Sequence, residues 1–404
     1  MKILLVNTLY YPYKVGGAEK SVQALAEEFY SLGMHVGVMT LGEKDEIDQI
    51  NDIHIWRLKI ENIYWPFNNQ NKNFINKSRW HVKDINNKGY DQKIKNILKS
   101  FNPDILFTNN LSGFSTRVWQ LAKNNDIKIV HTLRDFYLQC PKTTKYKNDS
   151  ICDTMCLDCK ILTNFKKKNS KKVDFVVGIS DFILQDHLKQ GYFQDVSNDV
   201  IFNGFRFEYE YSKFKFLRED DITFGYIGQI NKEKGVEVML KSFLTIQNKD
   251  KWRLLIAGNI GKDYLNKLKN INNSDNINYL GYVDSNEFFN KIDILITPSI
   301  WNEPFGRVVL EAIIHNKMVI TSKNGGISEI MINNKDFTFN SNKKDLSRLI
   351  NQIIKNREKL LFKTNSEFMS KYKIENVALK YQRIFLGLIN KKALNLSNKH
   401  NNIK

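Results

Sequence analysis

Apolar and polar residues along the first half of the chain follow the pattern of buried strands alternating with amphipathic helices. The run Lys2–Val6 predicts a strand, and apolar residues at a spacing of about 3.6 predict the helix after it: Ala18, Val22, Leu25, Ala26, Phe29 and Leu32. Short apolar runs predict five further strands at Val36–Thr40, Ile53–Leu58, Ile105–Thr108, Lys128–Leu133 and Val173–Ile179. Such alternation is typical of a parallel sheet with helices on both faces.

Two stretches interrupt this pattern. Residues 61–90 are rich in Asn, Lys and Trp without a clear period, so we expect a surface insertion there. Residues 134–172 also break the alternation, and they contain all four cysteines and a basic run at 166–172.

The strand–helix pattern restarts after residues 205–221. Strands are predicted at Ile222–Ile227, Trp252–Ala257 and Ile277–Leu280, each followed by glycine, and at Ile292–Thr297 and Met318–Thr321. We therefore predict an α/β chain with two Rossmann-like, doubly wound domains. The first covers 1–205, including a cysteine-rich loop at 140–159. The second covers 206–375, and residues 376–404 are expected to form a helix that packs back on the first domain, followed by a polar tail.

Composition narrows the class of protein but not its partner. The chain has 404 residues, 42% of them hydrophobic, and 61 Lys and Arg against 43 Asp and Glu give a net charge of +18. Such a charge attracts nucleic acid, acidic lipid or phosphorylated substrates. The apolar runs are far shorter than the about 20 residues of a membrane span. The N-terminal residues lack the apolar stretch of a secretory signal, so we expect a cytoplasmic protein.

The strongest chemical constellation is the segment Glu303-Pro304-Phe305-Gly306-Arg307, with a second carboxylate at Glu311. Glu303 lies in the loop after a predicted strand, and Glu311 lies in the helix that follows. The backbone N–H groups of the first helical turn are placed to meet phosphate or a sugar hydroxyl, assisted by the helix dipole. A capping role for Glu303 and a surface position for Glu311 would explain the Pro-Phe-Gly sequence poorly.

Two other loops are consistent with phosphate binding but are less specific. Gly16-Gly17-Ala18-Glu19 follows the first strand, where glycines allow a ligand to approach the backbone. Lys232-Glu233-Lys234-Gly235 follows the strand that ends at Gly228, where a lysine could hold a diphosphate. A plain strand–helix turn and a solvated loop are the respective alternatives.

Together these motifs resemble the retaining GT-B glycosyltransferases of glycosyltransferase family 4 over nearly the whole chain. The pattern E-P-F-G-x-x-x-x-E, followed by Gly325-Gly326-Ile327 and Glu329, is similar to the donor-site signature of that family. Gly16 to Glu19 resembles its N-terminal GGxE loop, and Ser180 and Asn203-Gly204 resemble its usual serine and turn.

The resemblance implies two Rossmann-like domains facing across a cleft, and a hexosyltransferase activity. It implies a nucleotide-sugar donor, UDP- or GDP-linked, and a polysaccharide or lipid-linked oligosaccharide acceptor in bacterial O-antigen, capsule or exopolysaccharide synthesis. No metal cofactor is required for such catalysis. Lys234 would contact the diphosphate, Glu311 the ribose, and Glu303 the donor sugar. The remaining implied donor-binding residues are Gly16, Gly17, Glu19, Gln229, Phe305, Gly306 and Arg307.

The chain departs from the family pattern at two positions. Gln229 stands where the family usually has a diphosphate-binding arginine, so Lys234, Arg307 or Arg206 would supply the charge. Arg134-Asp135 stands where many relatives have His-Asp. We therefore take Arg134 and Asp135 as catalytic candidates in addition to Glu303. His131, three residues before Arg134, is a further candidate. For His131, a place in the core is the alternative.

The four cysteines, Cys140, Cys152, Cys156 and Cys159, are separated by eleven, three and two residues. Thiolates at such spacings can close a tetrahedral zinc site, so a structural zinc is one interpretation. Free reduced thiols and a disulfide formed after lysis are the others. In each case we expect this loop to shape the acceptor-binding side of the cleft.

The basic residues of the first domain, in 72–99 and 166–172, suggest docking on an anionic membrane surface. Nearby aromatic residues could reach the interface: Tyr64, Trp65, Phe67, Phe74 and Trp80. A solvated lysine face is the alternative. A basic nucleic-acid-binding protein with a four-cysteine zinc site, and a non-catalytic GT-B relative, are the rival functions. The nucleic-acid-binding rival leaves the Glu303–Glu311 spacing unexplained, and we expect no nucleic-acid partner. The absence of the usual arginine and histidine leaves the non-catalytic relative open.

Overall fold

The structure is a computed structural model that describes residues 1–13, 16–66, 73–208, 214–246 and 251–401, with side chains up to Lys391. It divides into two compact units. The first unit comprises Met1–Thr144, Thr154–Arg206 and Ser370–Lys404, and the second comprises Lys145–Asp153 and Phe207–Met369. Compared with the expected domains, the second unit also takes 145–153, and the first unit takes the C-terminal residues from Ser370 onward.

The first unit contains an eight-stranded sheet. Its strands are β1 (Lys2–Val6), β2 (His35–Gly42), β3 (Glu46–Ile50), β4 (Ile53–Lys59), β5 (Ile105–Thr108), β6 (Lys128–Leu133), β9 (Phe175–Gly178) and β10 (Ser197–Val200). They lie in the order β10-β9-β6-β5-β1-β2-β4-β3, and all pairs are parallel except β3 with β4. The predicted parallel sheet is confirmed.

Seven helices belong to the first unit: α1 (Gly17–Ser31), α2 (Phe74–Lys83), α3 (Asp91–Phe101), α4 (Arg117–Lys123), α5 (Leu157–Ser170), α6 (Asp181–Lys189) and α14 (Ile374–Asn401). The apolar stripe of α1 packs on the sheet as its period predicts. Helix α14 joins the same core, where Tyr381 and Phe385 pack against Phe29 and Phe107 with ring centroids 5.1–6.1 Å apart. Burial of these aromatic side chains fixes the C-terminal helix on the first unit.

Helices α2 and α5 fall in the two stretches where no period was visible. Trp80 is the one residue of α2 that is buried, so this helix has no apolar stripe. The buried residues of α5 are polar: Thr163, Lys166, Asn169 and Ser170. Within 61–90, where we expect a surface insertion, the structure thus has a mostly exposed helix, α2, because a helix that buries little apolar surface leaves no period in the sequence.

The second unit contains a six-stranded, all-parallel sheet in the order β13-β12-β11-β14-β15-β16. Its strands are β11 (Ile222–Ile227), β12 (Trp252–Ala257), β13 (Ile277–Gly281), β14 (Ile294–Thr297), β15 (Met318–Ser322) and β16 (Thr338–Phe339). Its helices are α7 (Val236–Phe243), α8 (Lys262–Ile271), α9 (Ser285–Phe289), α10 (Arg307–Ile314), α11 (Ile327–Ile330), α12 (Lys343–Lys355) and α13 (Ser366–Ser370), the last ending at the boundary.

Two shorter features complete the description. A hairpin of β7 (Tyr146–Lys147) and β8 (Ser150–Ile151) groups with the second unit. Within the described ranges, 3₁₀ turns lie at Lys88–Tyr90, Lys335–Phe337 and Arg357–Lys359. No helix among the described residues is long and apolar enough to span a membrane.

Candidate active site

The loop between β14 and α10 places Glu303 against the turn that follows β15. The Glu303 carbonyl accepts a hydrogen bond of 2.7 Å from the Gly326 amide, and Glu303 forms an isolated bridge with Gly325. Gly325 has φ +78°, and a Cβ there would collide with the Glu303 backbone. The glycine pair thus permits the close approach that fixes Glu303.

The side chain of Glu303 collects three hydrogen bonds on one oxygen. Its Oε1 accepts from Lys234 Nζ at 2.6 Å, Ser299 Oγ at 2.8 Å and Trp301 Nε1 at 3.0 Å. The Lys234 ammonium also lies 4.8 Å from the centroid of the Trp301 ring. The Lys234 and Glu303 side chains are 23% and 13% exposed. This pair is therefore only partly screened by water and can be reached by a ligand.

The loop that carries Lys234 is tied to the loop that carries Glu303. Gly235, with φ +75°, is the N-cap of α7, and a Cβ there would collide with the Pro298 carbonyl. The Ile300 amide donates to the Glu233 carbonyl at 2.8 Å. Lys232 lies apart from Glu303 and pairs with Asp149 at 2.7 Å. The solvated-loop alternative therefore fits Lys232, whereas Lys234 belongs to the charged cluster.

Helix α10 presents its N-terminus and a second ion pair. Its N-cap, Gly306, has φ +93° and no side chain with which to cap the helix. The first residue of the helix, Arg307, donates from Nε to Oε1 of Glu311, one turn later, at 2.8 Å. Burial lowers the pKa of Arg307, and Glu311 opposes that shift. Phe305 is buried beneath the loop. The helix end thus offers backbone donors next to two pairs of opposite charge.

Gln229, by contrast, is exposed and not part of this hydrogen-bonded cluster. Its carbonyl accepts a hydrogen bond of 2.5 Å from the Tyr226 hydroxyl. It follows β11 directly, at the same carboxyl edge of the sheet as the loops of Lys234 and Glu303. Its position is that of a donor-loop residue, but it brings no charge.

In the first unit, the loop Gly16-Gly17 leads directly into α1. The Gly16 amide donates to Glu19 Oε2 at 3.0 Å, so Glu19 caps its own helix. This arrangement is the capping box expected of a strand–helix turn, which was the alternative interpretation. Residues 14 and 15 lie outside the described part of the chain.

Arg134 and His131 are held inside the first unit. Arg134 donates from Nε to Asn109 Oδ1 at 2.8 Å and from Nη1 to Asn203 Oδ1 at 2.5 Å. His131 is 3% exposed, pairs through Nδ1 with the Thr108 hydroxyl at 2.9 Å, and lies against aromatic rings. Burial lowers the pKa of His131 to about 3. His131 therefore occupies the core position of the alternative interpretation, and we assign it no contact with substrate.

Asp135 lies at the carboxyl edge of the first sheet. Its Oδ2 accepts from Asn110 Nδ2 at 2.7 Å, and its Oδ1 accepts from the Tyr137 amide at 2.8 Å. Burial, reinforced by the charge of Glu19, raises the pKa of Asp135 to about 6. The hydrogen bond from the Tyr137 amide and the nearby Lys166 oppose that shift. Asp135 is thus a carboxyl group that titrates close to neutral pH.

The cysteine loop brings three thiols together. Cys159 hydrogen-bonds to Cys140 and Cys156, and these contacts raise its pKa. Among the described residues, which include all four cysteines, no group of three or more His, Cys, Asp or Glu side chains is arranged to hold a metal ion. All four cysteines are free of disulfide bonds. Structural zinc stays a prediction, and metal analysis of the purified protein would test it.

Sequence reasoning did not identify the two uncharged donors to Glu303. Ser299, Trp301 and Glu303 stand at alternate positions, and alternate side chains of an extended segment point the same way. That spacing was the available signal. Asn109, which holds Arg134, gave none, since its partner lies 25 residues away.

Comparisons with known proteins fit this architecture. The profile described as Glycosyltransferase Family 4 matches residues 15–208, and the profile described as Glycosyl transferases group 1 matches residues 208–387. An uncharacterized 42.6 kDa protein in the cps region of Klebsiella pneumoniae is 38% identical over 332 residues, which is 82% of this chain and 87% of the relative. The lipopolysaccharide 1,2-N-acetylglucosaminetransferase of Salmonella typhimurium is 27% identical over 187 residues, 41% of this chain and 48% of that enzyme.

Among solved structures, Anabaena Alr3699/HepE in complex with UDP and glucose superimposes with a TM-score of 0.63 at 16% identity. The match covers 98% of this chain and all of that one. At this identity the likeness shows the fold, which is the predicted GT-B fold with two Rossmann-like domains. Because the two family profiles together match residues 15–387, the chain belongs to the family 4 glycosyltransferases and is a glycosyltransferase.

Proposed function

We propose that the chain is a retaining glycosyltransferase that uses a nucleotide diphosphate sugar bound at the second unit. The observation that carries the proposal is the cluster of Lys234 with Glu303 beside the N-terminus of α10, which also bears the Arg307–Glu311 pair. Cations and helix-end amides are the groups that bind diphosphate without a metal ion. The solved complex of Alr3699/HepE with UDP and glucose supports this class of donor.

In this proposal each charged residue has one role. Lys234 leaves Glu303 and binds the diphosphate, and the amides of Phe305, Gly306 and Arg307 add the dipole of α10. Glu311 binds the ribose hydroxyls, and Glu303 binds a hydroxyl of the donor sugar. Gln229 supplies a neutral hydrogen bond, so Lys234 and Arg307 provide the positive charge.

The reaction itself exchanges two bonds at the anomeric carbon. The bond from C1 to the diphosphate oxygen breaks, and a bond from C1 to the acceptor oxygen forms on the same face of the sugar. The acceptor proton passes to the departing phosphate oxygen. Lys234 and the helix dipole stabilise the charge that develops on the diphosphate, which is the main electrostatic contribution of the protein.

A thermal-shift screen of UDP-, GDP- and ADP-sugars tests the donor site. A ligand at 100 times its dissociation constant stabilises a protein by about 2.7 kcal/mol. We expect one nucleotide series to raise the melting temperature of the wild type and of Glu287→Ala, an exposed glutamate on α9 that serves as the matched control. Glu311→Ala should lose that shift while retaining its own melting transition. A full shift in Glu311→Ala would contradict the ribose role.

We propose a glycan or lipid-linked acceptor, in keeping with two relatives, a lipopolysaccharide 1,2-N-acetylglucosaminetransferase and a capsular polysaccharide biosynthesis glycosyltransferase. An anionic membrane surface is the proposed partner of the first unit. Helix α2 combines exposed apolar side chains with basic ones: Phe74, Ile75 and Val82 with Lys77, Arg79 and Lys83. Phe74 is 82% exposed. Such a helix can lie on a charged bilayer.

Two of the aromatic residues that were expected to face the membrane, Trp80 and Phe67, do not support that expectation. Trp80 is buried and donates its Nε1–H to the Tyr64 carbonyl, so it cannot reach a membrane. Phe67 lies outside the described residues.

Co-sedimentation with vesicles tests the membrane partner. We expect binding to vesicles that contain anionic lipid and weaker binding to neutral ones. Phe74→Ser with Ile75→Ser should reduce that binding, whereas Tyr282→Ser, at an exposed apolar position of the second unit, should not. Equal binding by all forms, or none by the wild type, would contradict the proposal.

A further inference from the structure

The hydrogen bonds to Glu303 are distributed unevenly over its two oxygens. Lys234, Ser299 and Trp301 all donate to Oε1. Among the described residues, none donates to Oε2. A carboxylate oxygen accepts about two hydrogen bonds in its plane, so Oε1 is saturated and Oε2 retains its full capacity.

The three donors to Oε1 differ in what a nucleotide would do to them. Lys234 is a cation on a flexible side chain, and a diphosphate competes for it directly. Ser299 and Trp301 are neutral, are 3% and 9% exposed, and have no charge for a diphosphate to attract. When Lys234 moves to the diphosphate, these two hydrogen bonds remain on Oε1.

Ser299 and Trp301 are themselves fixed by the backbone around them. The Ser299 carbonyl accepts from Ser322 Oγ at 2.7 Å and from Asn324 Nδ2 at 3.0 Å. The same Asn324 amide donates to the Ile300 carbonyl at 2.7 Å. The Trp301 amide donates to the Glu233 carbonyl at 3.3 Å. The segment is therefore held from two directions, and its donors are placed before any ligand arrives.

We propose that Ser299 and Trp301 are positioning residues that hold Oε1 of Glu303 so that Oε2 accepts a hydrogen bond from a hydroxyl of the donor sugar. The inference rests on the proposed function, because it assumes a nucleotide sugar at this site. Its consequence is specific: the two residues support binding of the sugar, and of the three donors to Oε1 only Lys234 serves the diphosphate.

The test compares a nucleoside diphosphate with its sugar derivative by calorimetry, beginning with UDP and UDP-glucose and using the pair that the thermal screen selects. The variants are Ser299→Ala, Trp301→Phe and their double. Phenylalanine retains an aromatic ring beneath Lys234 and removes the Nε1–H. Trp252→Phe is the matched control, because Trp252 lies in the same unit and its buried Nε1–H has no hydrogen-bond partner in the described part of the chain.

We expect the affinity for the nucleoside diphosphate to stay within about twofold of wild type in all variants. The gain in affinity that the sugar provides should fall about threefold in each single variant and about tenfold in the double, since losing one positioning hydrogen bond should cost about as much as an ordinary intramolecular hydrogen bond contributes. kcat should fall by at least as much, because a contact to the donor sugar also acts in the transition state. Trp252→Phe should match the wild type.

Glu303→Gln separates failure of this inference from failure of the proposed function. If the wild type binds no member of any nucleotide pair, the proposed donor site is wrong. If Glu303→Gln loses the sugar-dependent affinity while the Ser299 and Trp301 variants keep it, the donor site stands and the positioning role is overturned. Equal loss of nucleoside diphosphate and nucleotide-sugar affinity also overturns it. Ser299→Ala removes only one hydroxyl, so it carries the test if Trp301→Phe does not fold.

Discussion

The carboxyl edges of the two parallel sheets hold charge in different ways. In the first unit, the Arg134 guanidinium donates to two asparagine side chains, and Asp135 accepts from an amide side chain and a backbone amide. In the second unit, Lys234 and Arg307 each pair with a carboxylate. Both edges carry charged residues after strands, and at the second edge two cations are each paired with a carboxylate.

This difference decides at which edge the charged side chains can release their protein partners and bind a ligand instead. A phosphate can replace a carboxylate on a lysine with little loss, because one anion takes the place of another. An asparagine that loses a buried guanidinium is left with an unsatisfied oxygen, which costs about 1–3 kcal/mol. We therefore expect the first edge to act as a fixed framework, and the second edge to be the one where the proposed anionic donor can replace a carboxylate.

The largest expected effect is on catalysis at the second edge. Glu303→Gln keeps the size of the side chain and removes its charge, so we expect sugar transfer to fall on the order of 100-fold with an unchanged fold. The rate of donor turnover, with circular dichroism as the check on folding, measures this. Glu287→Gln, at an exposed position of the same unit, should leave the rate unchanged. A rate for Glu303→Gln within threefold of wild type would show that the reaction does not take place at the carboxyl edge of the second unit's sheet.

The next effect is on stability near the first edge. Lys166 and Asp84 form a buried ion pair of 3.3 Å, with side chains 4% and 1% exposed, and Tyr137 donates to the same carboxylate at 2.7 Å. Lys166→Met leaves Asp84 buried without its cation, so we expect the free energy of unfolding to fall by about 3–5 kcal/mol. Urea denaturation measures this.

Lys267→Met provides the comparison for that experiment. Lys267 pairs with Glu237 at 2.8 Å but is half exposed, so its loss should cost less than about 1 kcal/mol. Equal losses of unfolding free energy for Lys166→Met and Lys267→Met would show that burial does not make the Lys166–Asp84 pair more important for stability.

A smaller effect is expected at Arg134. Arg134→Met removes the donors to Asn109 and Asn203 and should lower the free energy of unfolding by about 1–3 kcal/mol. Affinity for the nucleoside diphosphate should remain within twofold, because Arg134 is part of the framework. Arg206→Met, which breaks an exposed pair with Glu27, is the control and should change stability by less than about 1 kcal/mol. Loss of nucleotide affinity without loss of stability would instead make Arg134 a ligand-binding residue.

The smallest effect is a pH dependence at Asp135. Its pKa in the folded protein is about 6, above the ordinary 3.8, so the folded state holds this proton more tightly than the unfolded state. The stabilisation from this proton is fully present below about pH 3.8 and is lost as the pH rises through about 6. Asp135→Asn cannot titrate there. Urea unfolding at several pH values should therefore show the wild type losing stability relative to Asp135→Asn between pH 4 and 6, with a constant difference above pH 7. Parallel curves throughout would contradict the raised pKa.

Periodic apolar residues predicted most of the framework. Strands β1, β5 and β6 lie at the predicted bounds, because runs buried on both faces leave a plain signal in the sequence. Helix α5 left no such signal. It buries Lys166 and Asn169, whose partners, Asp84 and Thr116, lie 82 and 53 residues away. A polar buried face can be recognised only when those partners are known.

The same distinction applies to the site. The sequence by itself determined that Glu303, Gly306 and Glu311 lie around the start of one helix, since short-range spacing and glycine placement suffice for that. Only the tertiary structure decided that Lys234, from a loop 69 residues earlier, meets Glu303. It also decided that Arg134 and His131 are held inside the first unit. Contacts between distant segments depend on how strands are ordered within a sheet, and strand order is set by packing of the whole unit rather than by local pattern.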